Sequence, residues 1–209
     1  MTTRVFVVRH GQTYGNIEGL FCGHSETDLT PLGVAQAKAL GRRLAGTDFD
    51  GVYSSDLSRA VKTGEHALEA LVAPTMQLDQ RLREMYYGDW EARPGSEIGE
   101  QYPALMRDFF LCRATAPGGE GFEAIRTRTT EAVRDAVTAH RGGTVMVVSH
   151  GNAIMAMLAE FFGLPIAATW SFAVDNTSLT RLQFSKSGRF TLLGFNDHAH
   201  TEGLAGPTG

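Results

Sequence analysis

The sequence predicts an α/β fold: a three-layer sandwich with a mostly parallel central sheet flanked by helices, plus a helical and loop insertion that forms a lid. Two observations predict this class. Strand-like and helix-like segments alternate along the chain, and two short strands, at residues 5–8 (VFVV) and 145–148 (VMVV), are apolar throughout. A strand without a polar face is typically covered on both sides, as in a parallel sheet between two layers of helices.

The first half of the chain supplies the alternation. Residues 4–9 form the first strand. A threonine–proline pair at 30–31 begins a helix that runs to about residue 44, because threonine caps helices and proline suits their first turn. Residues 51–54 form a second strand, after which Ser55 or Asp56 is expected to cap the next helix.

The second half begins with an irregular segment, at about 82–121, which glycines, prolines and aromatic residues punctuate. We interpret it as a lid and as the element that sets substrate specificity, since long irregular insertions commonly carry function. After it come a helix at about 120–140, a strand at 144–149, a helix at 152–162, and late strands at 177–184 and 190–195. Residues 1–196 are expected to form one domain and residues 197–209 a flexible tail.

The composition is that of an ordinary globular protein and limits the classes of partner. Of the 209 residues, 43% are hydrophobic and 20% are charged, and the net charge of −4 gives no reason to expect nucleic acid. The most apolar segment, at 153–159, is too short to cross a membrane, and the two cysteines make no disulfide framework. We therefore expect a cytoplasmic protein that binds neither nucleic acid nor membrane.

Two histidines stand directly after the two apolar strands. His10 lies in an Arg-His-Gly tripeptide and His150 in a Ser-His-Gly tripeptide, 140 positions further on. Ligands of open α/β sheets bind beyond the carboxyl ends of the strands. The two histidines are therefore expected to meet at one edge of the sheet.

The motifs of the chain, taken in order, resemble those of a known family. They are residues 9–13 (RHGQT) with Asn16, 29–33 (LTPLG), 54–60 (SSDLSRA) with Thr63, 82–84 (LRE) with 87–91 (YGDWE), 117–120 (PGGE) and 148–151 (VSHG). The sequence resembles the histidine phosphatase (phosphoglycerate mutase-like) superfamily, in its phosphatase branch. The resemblance extends over nearly the whole chain, to about residue 195.

The resemblance implies a transient phosphohistidine at His10, and neutral imidazole is a competent nucleophile for such covalent catalysis. Arg9 and Arg59 can each direct two donors at phosphoryl oxygens, which lysine cannot do in the same geometry. His150, if protonated, would add a third cationic donor. These groups together would stabilise the charge on the transferring phosphoryl group.

Glu84 is the expected acid and base of the reaction. It would protonate the departing alkoxide and then take a proton from the water that attacks the phosphohistidine. Its neighbours Met85, Tyr86 and Tyr87 favour a raised pKa. Glu120 is the reserve candidate for the same role.

Further residues are expected to contact the substrate or its phosphate. The resemblance places Asn16, Cys22 and Gly23 there, and the expected set is completed by Gly11, Tyr87, Gly151 and Asn152. Two of these expectations have plainer alternatives. Cys22 is either a reactive thiol beside a cationic pocket or a small packing residue, and Arg59 of the catalytic set could pair with Asp56 or Glu65 on its own helix.

Neither a metal nor a cofactor is expected. The two histidines are flanked by arginine and glycine, with no aspartate or cysteine at ligand spacing, and Arg9 would repel a divalent cation. His198 and His200 form an HxH pair in the predicted tail, where an exposed pair usually binds nothing.

The expected function is hydrolysis of small phosphorylated metabolites, with two alternatives. Mutases of the family carry a lysine eleven residues after the glutamate, where this chain has Gly95, and an arginine pair where it has isolated Arg107 and Arg113. Asn152, by contrast, resembles the mutases. A phosphoglycerate mutase and a non-catalytic phosphate-binding module therefore remain as alternatives, and the substrate and a homodimeric assembly stay open.

Overall fold

The computed structural model describes residues 2–204, which form one six-stranded sheet with helices on both faces. The strands are β1 (Thr3–Arg9), β2 (Gly51–Ser54), β3 (Gln77–Leu78), β4 (Thr144–Ser149), β5 (Leu179–Phe184) and β6 (Phe190–Asp197). The helices are α1 (Tyr14–Ile17), α2 (Pro31–Arg43), α3 (Ser58–Leu68), α4 (Gly95–Gln101), α5 (Pro103–Phe110), α6 (Phe122–Ala139) and α7 (Gly151–Phe161).

The strand order β3-β2-β4-β1-β5-β6 confirms the mostly parallel sheet. The four strands from β3 to β1 run parallel, whereas β5 pairs antiparallel with β1 and β6 pairs antiparallel with β5. β1 and β4 are neighbours, and their ladder ends with Arg9 opposite Ser149. This register brings the two histidines that follow them to the same edge.

Helices cover both faces of the sheet, as the apolar strands predict. Val5 and Val7 of β1 face a cluster that includes Val133 of α6 and Met157 of α7. Val8 faces the opposite cluster, which contains buried residues of α2 and α3. Consecutive side chains of a strand point to opposite faces, so an all-apolar strand serves two cores at once.

The predicted start of α3 is wrong in one detail. Its N-cap is Leu57, whose side chain makes no capping hydrogen bond, instead of Ser55 or Asp56. The Ser55 hydroxyl bonds to the ring of His150, and the Asp56 carboxylate binds the guanidinium of Arg83 through two contacts of 2.6 Å. Both side chains are thus engaged in tertiary contacts that local sequence does not reveal.

The insertion forms its own apolar cluster beside the sheet. The insertion consists of α4, α5 and short 3-10 turns, and its buried Trp90, Ile98 and Phe109 share this cluster with Phe122 of α6 and Ala153 of α7. Strand β3 is missed by the sequence prediction because it has only two residues, both exposed. β5 begins at Leu179 instead of residue 177, since Thr177 has a φ of 56°, outside the range of a strand.

The C-terminal segment is only partly described. β6 ends at Asp197, a 3-10 turn follows at Ala199–Thr201, and the His200 ring bonds to the Thr177 hydroxyl at 3.2 Å. Residues 205–209 of the predicted tail lie outside the described residues, and flexibility of the tail stays a prediction. Within residues 2–204, no helix is both long enough and apolar enough to span a bilayer.

Candidate active site

A cavity of about 350 Å³ opens where β1 and β4 end. Nine of the twelve residues expected at the site line it: Arg9, His10, Asn16, Cys22, Arg59, Glu84, Tyr87, Gly151 and Asn152. Three expected residues do not line the cavity: Gly11, Gly23 and His150. The structure thus brings together side chains from the first loop, α3, the insertion and the start of α7.

His10 presents one free ring nitrogen to this cavity. Its Nδ1 donates a hydrogen bond to the carbonyl oxygen of Gly11 at 2.7 Å, which leaves Nε2 with the lone pair in the neutral ring. Nε2 makes no hydrogen bond within residues 2–204. Burial, and then the charges of Arg59 and Arg9, lower the pKa of His10 well below its usual value, so the ring stays neutral.

His150 lies behind His10, with 5.1 Å between the two ring centroids, so the predicted meeting of the histidines is confirmed. Its Nδ1 accepts a hydrogen bond from Nε of Arg59 at 3.2 Å, and its Nε2 donates to the Ser55 hydroxyl at 2.8 Å. Burial and the Arg59 charge lower its pKa well below the usual value. Both ring nitrogens of His150 are thus engaged within the protein and burial favours the neutral ring, so the structure does not support the expectation of a third cationic donor.

Arg59 is the most constrained cation of the site and is only 1% exposed. Its guanidinium donates to the carbonyl oxygens of Cys22, Gly23 and Ser25 at distances from 2.6 to 3.0 Å. With the bond to His150, four of its five N–H groups are used, which leaves one on Nη1. It pairs with neither of the carboxylates that the sequence offered as alternatives.

Arg9 is less occupied. Its Nη1 donates to the carbonyl oxygen of Val174 at 2.5 Å, while its Nε is buried and has no partner within residues 2–204. A buried guanidinium N–H without a partner costs free energy unless an anion satisfies it. Arg9 lines the cavity, and only one of its five N–H groups is paired within residues 2–204.

Glu84 sits at the start of α7 and accepts backbone hydrogen bonds there. Its carboxylate oxygens receive the N–H groups of Met85, Asn152 and Ala153 at distances from 2.8 to 3.2 Å. Burial raises its pKa, and these bonds and the two arginines only partly oppose the rise. An added Cβ on Gly151 would stand 3.8 Å from the Glu84 Oε2 and 3.6 Å from the Arg9 Nε, so both groups flank this glycine.

The reserve candidate, Glu120, does not line the cavity. Its carboxylate binds Arg128 of α6 through contacts of 2.6 and 2.7 Å. Arg128 also donates to the carbonyl oxygens of Arg81, Arg83 and Glu84 at distances from 2.6 to 2.9 Å. The sequence reasoning misses Arg128, because nothing in a helical arginine signals that it reaches a distant loop.

Glu91 is a second residue that the sequence reasoning underrates. Its carboxylate accepts the backbone N–H groups of Gly23, His24, Ser25 and Tyr87 at distances from 2.8 to 3.2 Å. These hydrogen bonds lower its pKa in spite of partial burial. The loop at residues 22–25 is thus held by two side chains. Glu91 accepts hydrogen bonds from its N–H groups, and Arg59 donates hydrogen bonds to its carbonyl groups.

Gly11 and Gly23 act through their lack of a side chain. An added Cβ on Gly11 would lie 2.6 Å from the carbonyl oxygen of Gly33, and one on Gly23 would collide with the Glu91 carboxylate and the Met85 carbonyl. A backbone approach this close admits only glycine. Cys22 is half-buried and burial raises the pKa of its thiol, which suits the alternative of a packing residue.

Asn16, Tyr87 and Asn152 bring neutral polar groups to the cavity wall. The Asn16 Oδ1 accepts from the Thr13 N–H at 3.1 Å and from the Asn176 side chain at 3.2 Å. The Asn152 Nδ2 donates to the Tyr87 hydroxyl oxygen at 2.5 Å. Among residues 2–204, no group of three histidine, cysteine, aspartate or glutamate side chains is arranged to hold a metal ion.

Comparison with known proteins places this geometry in a family context. The model of the histidine phosphatase superfamily (branch 1) matches residues 5–198. The chain is similar to the adenosylcobalamin/alpha-ribazole phosphatase of Escherichia coli K12, with 35% identity over 82% of this chain and 85% of the relative. It is also similar to a 2,3-bisphosphoglycerate-dependent phosphoglycerate mutase of Mesorhizobium japonicum, with 35% identity over 78% of this chain and 83% of the mutase. Among solved structures, Bacillus stearothermophilus YhfR superposes with a TM-score of 0.90 at 32% identity, covering 96% of this chain and 100% of that one.

Proposed function

The chain belongs to the histidine phosphatase superfamily, and we propose that it hydrolyses small phosphate monoesters through a phosphohistidine at His10. One observation carries the proposal. His10 is 4% exposed, its Nδ1 is fixed by the Gly11 carbonyl, and its free Nε2 faces a cavity that holds two arginines and a carboxyl group.

In the first step the Nε2 lone pair attacks phosphorus and the bond from phosphorus to the ester oxygen breaks. Glu84 gives its proton to the departing oxygen, so the alcohol leaves neutral and Glu84 becomes a carboxylate. A raised pKa suits this role because it keeps a larger fraction of the carboxyl group protonated. The Gly11 carbonyl stabilises the cationic ring that forms on His10.

In the second step water attacks phosphorus, and the bond from phosphorus to Nε2 breaks. Glu84 takes a proton from that water, which restores both the acid and the free imidazole. The unpaired N–H groups on the Arg9 guanidinium and the remaining Nη1–H of Arg59 bind the phosphoryl oxygens in both steps. One such contact in a dry site typically accounts for roughly 10²–10³ in rate.

A specific contact favours hydrolysis over the mutase reaction. The position that carries a lysine in the mutases is Gly95 here, and an added Cβ on Gly95 would stand 3.3 Å from the ring of Phe21. Phe21 lines the cavity. An aromatic ring therefore lines the cavity near the position at which the mutases carry a lysine. Two other observations favour the mutase alternative: Asn152 resembles the mutases, and the chain is similar to a named mutase.

The remaining site assignments and the setting belong to the same proposal. Asn16, Tyr87, Gly151 and Asn152 contact the substrate, Gly11 and Gly23 shape the backbone around it, and the insertion at 82–121 acts as a lid. Residues 1–196 act as one domain in the cytoplasm. The substrate is a small phosphorylated molecule, and the E. coli relative is named as an adenosylcobalamin/alpha-ribazole phosphatase.

Phosphate release from p-nitrophenyl phosphate and from a panel of sugar phosphates tests the proposal. We expect turnover by the purified protein, and a loss on the order of 10⁴-fold or more in His10→Ala, as for other lost nucleophiles. His66→Asn, which alters a histidine bonded to Glu69 outside the cavity, should retain activity. A base-stable, acid-labile phosphoryl label on His10 separates an enzyme from a binding module. Turnover in His10→Ala equal to the parent would overturn the proposal, and interconversion of 2- and 3-phosphoglycerate without phosphate release would favour the mutase.

A further inference from the structure

The cavity is lined by five aromatic rings, each of which contacts at least one other. We call Phe21, Tyr87, Phe109, Phe110 and Trp170 the aromatic wall. The centroid of Phe21 lies 4.9 Å from Tyr87 and 6.0 Å from Phe109, and Trp170 lies 5.8 Å from Phe109 and 5.1 Å from Phe110. The rings come from the first loop, the insertion and the segment after α7, so tertiary structure alone assembles them.

Part of this wall is open to solvent. Phe109 is buried, but Phe21 and Trp170 are half-buried and Phe110 is 50% exposed. Contiguous apolar surface inside a concave site usually marks the place where a ligand is bound, since water covers it at a cost in free energy. The adjoining lining residues Leu20, Met155 and Val174 extend the same apolar character.

The two cations of the cavity both lie near His10, whose pKa their charges lower. Arg9 and Arg59 are the only arginine or lysine side chains among its lining residues, and both surround the position of the phosphoryl group. Burial lowers the pKa of both arginines. The negative charges of Glu84 and Asp175 oppose this at Arg9, and those of Glu84, Glu26 and Glu91 oppose it at Arg59. No described lining residue offers a further cation to a second anionic group on the substrate.

We propose that this site selects monoesters whose alcohol carries an uncharged aromatic or apolar group, and that it discriminates against alcohols that carry a carboxylate. The inference rests on the proposed phosphatase function and names the substrate class of that site. Burial of a phenyl ring against the aromatic wall favours the first class, and desolvation of a carboxylate without a partner disfavours the second.

A matched pair of substrates tests the inference without a difference in leaving group. 3-Phenylpropyl phosphate and 4-phosphonooxybutanoate are both esters of primary alcohols, and they differ in the group at the far end. We expect kcat/KM to be at least about tenfold higher for the phenyl compound, a fraction of the transfer free energy of a phenyl ring. Equal or reversed values, with phosphate still released, overturn the inference and leave the phosphatase proposal intact. Absence of release from both compounds and from p-nitrophenyl phosphate overturns both.

A substitution of Phe110, the most exposed ring of the aromatic wall, provides a second test of the inference. Phe110→Lys places a cation at the half-exposed rim, and we expect it to lower the preference for the phenyl compound at least about tenfold. Leu111→Lys is the matched control, because Leu111 is exposed and next in sequence but does not line the cavity. An equal change in both variants would show that net charge alone matters, and would overturn the inference.

A second inference rests on different contacts, those of Arg128. All five N–H groups of its guanidinium are used: two on Glu120 and three on the carbonyl oxygens of Arg81, Arg83 and Glu84. Glu120 also accepts the Tyr86 N–H at 3.3 Å. Arg128 and Glu120 therefore form hydrogen bonds with the backbone both before and after Glu84.

The geometry points to Arg128 as a positioning residue for Glu84, which acts on the reaction without touching the substrate. Lysine cannot reproduce a planar five-donor fork, so Arg128→Lys releases the carbonyls but keeps the charge. Such a change should lower kcat more than it alters KM. The loss should be larger for alkyl phosphates, which need an acid, than for p-nitrophenyl phosphate, whose leaving group does not.

We expect roughly a tenfold to hundredfold lower kcat on 3-phenylpropyl phosphate, from the loss of hydrogen bonds to a charged group, and less than about threefold on p-nitrophenyl phosphate. Glu120→Gln, which keeps the shape of the partner, should show a smaller change of the same kind, and it serves as the test if Arg128→Lys does not fold. A merely structural role would lower activity on both substrates alike. Equal losses, or none, would overturn this inference.

Discussion

The end of the sheet and the insertion both supply the candidate site, but they hold their residues in different ways. At the end of the sheet, His10 follows a ladder in which β1 pairs with β4 from Arg4 to Arg9. In the insertion, Glu84 and Tyr87 lie on irregular backbone that side chains such as Arg128 and Glu91 hold in place. Backbone pairing fixes the first region, and specific side-chain contacts fix the second.

This difference separates two tasks. The ladder places the proposed nucleophile, His10, and Arg9 beside it with little dependence on any one side chain. The insertion places the proposed acid, Glu84, and three of the five rings of the aromatic wall, and Glu84 and Tyr87 depend there on a few polar contacts. We therefore expect substitutions at the end of the sheet to affect all substrates alike, and substitutions in the insertion to affect them selectively.

The largest test of this distinction is Glu84→Gln. Glutamine cannot donate a proton to a departing alkoxide, so kcat on alkyl phosphates should fall by roughly 10²–10⁴, with a smaller loss on p-nitrophenyl phosphate. In the parent, the rate should fall as the pH rises through the elevated pKa of Glu84. Steady-state kinetics against pH should show this limb in the parent and not in the variant. A variant that keeps the limb would assign it to another group.

Beside the end of the sheet, in the first turn of α3, Arg59→Lys should lower kcat/KM by roughly 10²–10³ on every substrate. Lysine keeps the charge but cannot hold three carbonyl oxygens and the His150 ring at once. The measurement is kcat/KM on an alkyl and an aryl phosphate, with Arg43→Lys as a control at an exposed arginine. A selective loss on one substrate would contradict the distinction between the two regions.

Glu91→Gln should have a smaller effect, and mainly on KM. The loop at 22–25 loses a charged acceptor for three of its N–H groups, while Arg59 still holds its carbonyl side. Hydrogen bonds to a charged group contribute about 1.5–3 kcal/mol, so kcat/KM should fall roughly tenfold to a hundredfold. Hydrogen exchange should quicken at residues 23–25 and stay unchanged in β4. Unchanged exchange in the loop would show that Glu91 does not hold it.

The smallest expected effect concerns stability against pH. Both His10 and His150 have lowered pKa values in the folded state, so the unfolded chain takes up protons first as the pH falls below about 6.5. Acid therefore favours unfolding, and each histidine contributes a slope of up to about 1.4 kcal/mol per pH unit. In chemical denaturation, His150→Asn should show a shallower slope between pH 6.5 and 5 than the parent. An identical slope would mean that His150 is already protonated in the fold.

The same division explains what could be predicted from the sequence. The apolar runs of β1 and β4 indicate their burial, and the tripeptides that follow predict the meeting of His10 and His150. Three other contacts are not visible in the sequence: the hydrogen bond between His150 and Ser55, the ion pair between Glu120 and Arg128, and the close approach of Gly11 to Gly33. Each depends on a contact between distant segments, which local propensity and periodicity do not encode.

The pairing of β1 with β4 also bears on how the protein is made. Their partners, such as Val5 and Val145, stand 140 residues apart, and closing a loop of that length is slow relative to the formation of local helices. A nascent chain in which residue 150 has not yet emerged from the ribosome already contains Arg9 and His10. It still lacks β4, the strand that orders them. Recovery of enzymatic turnover during refolding should therefore lag behind recovery of helical circular dichroism.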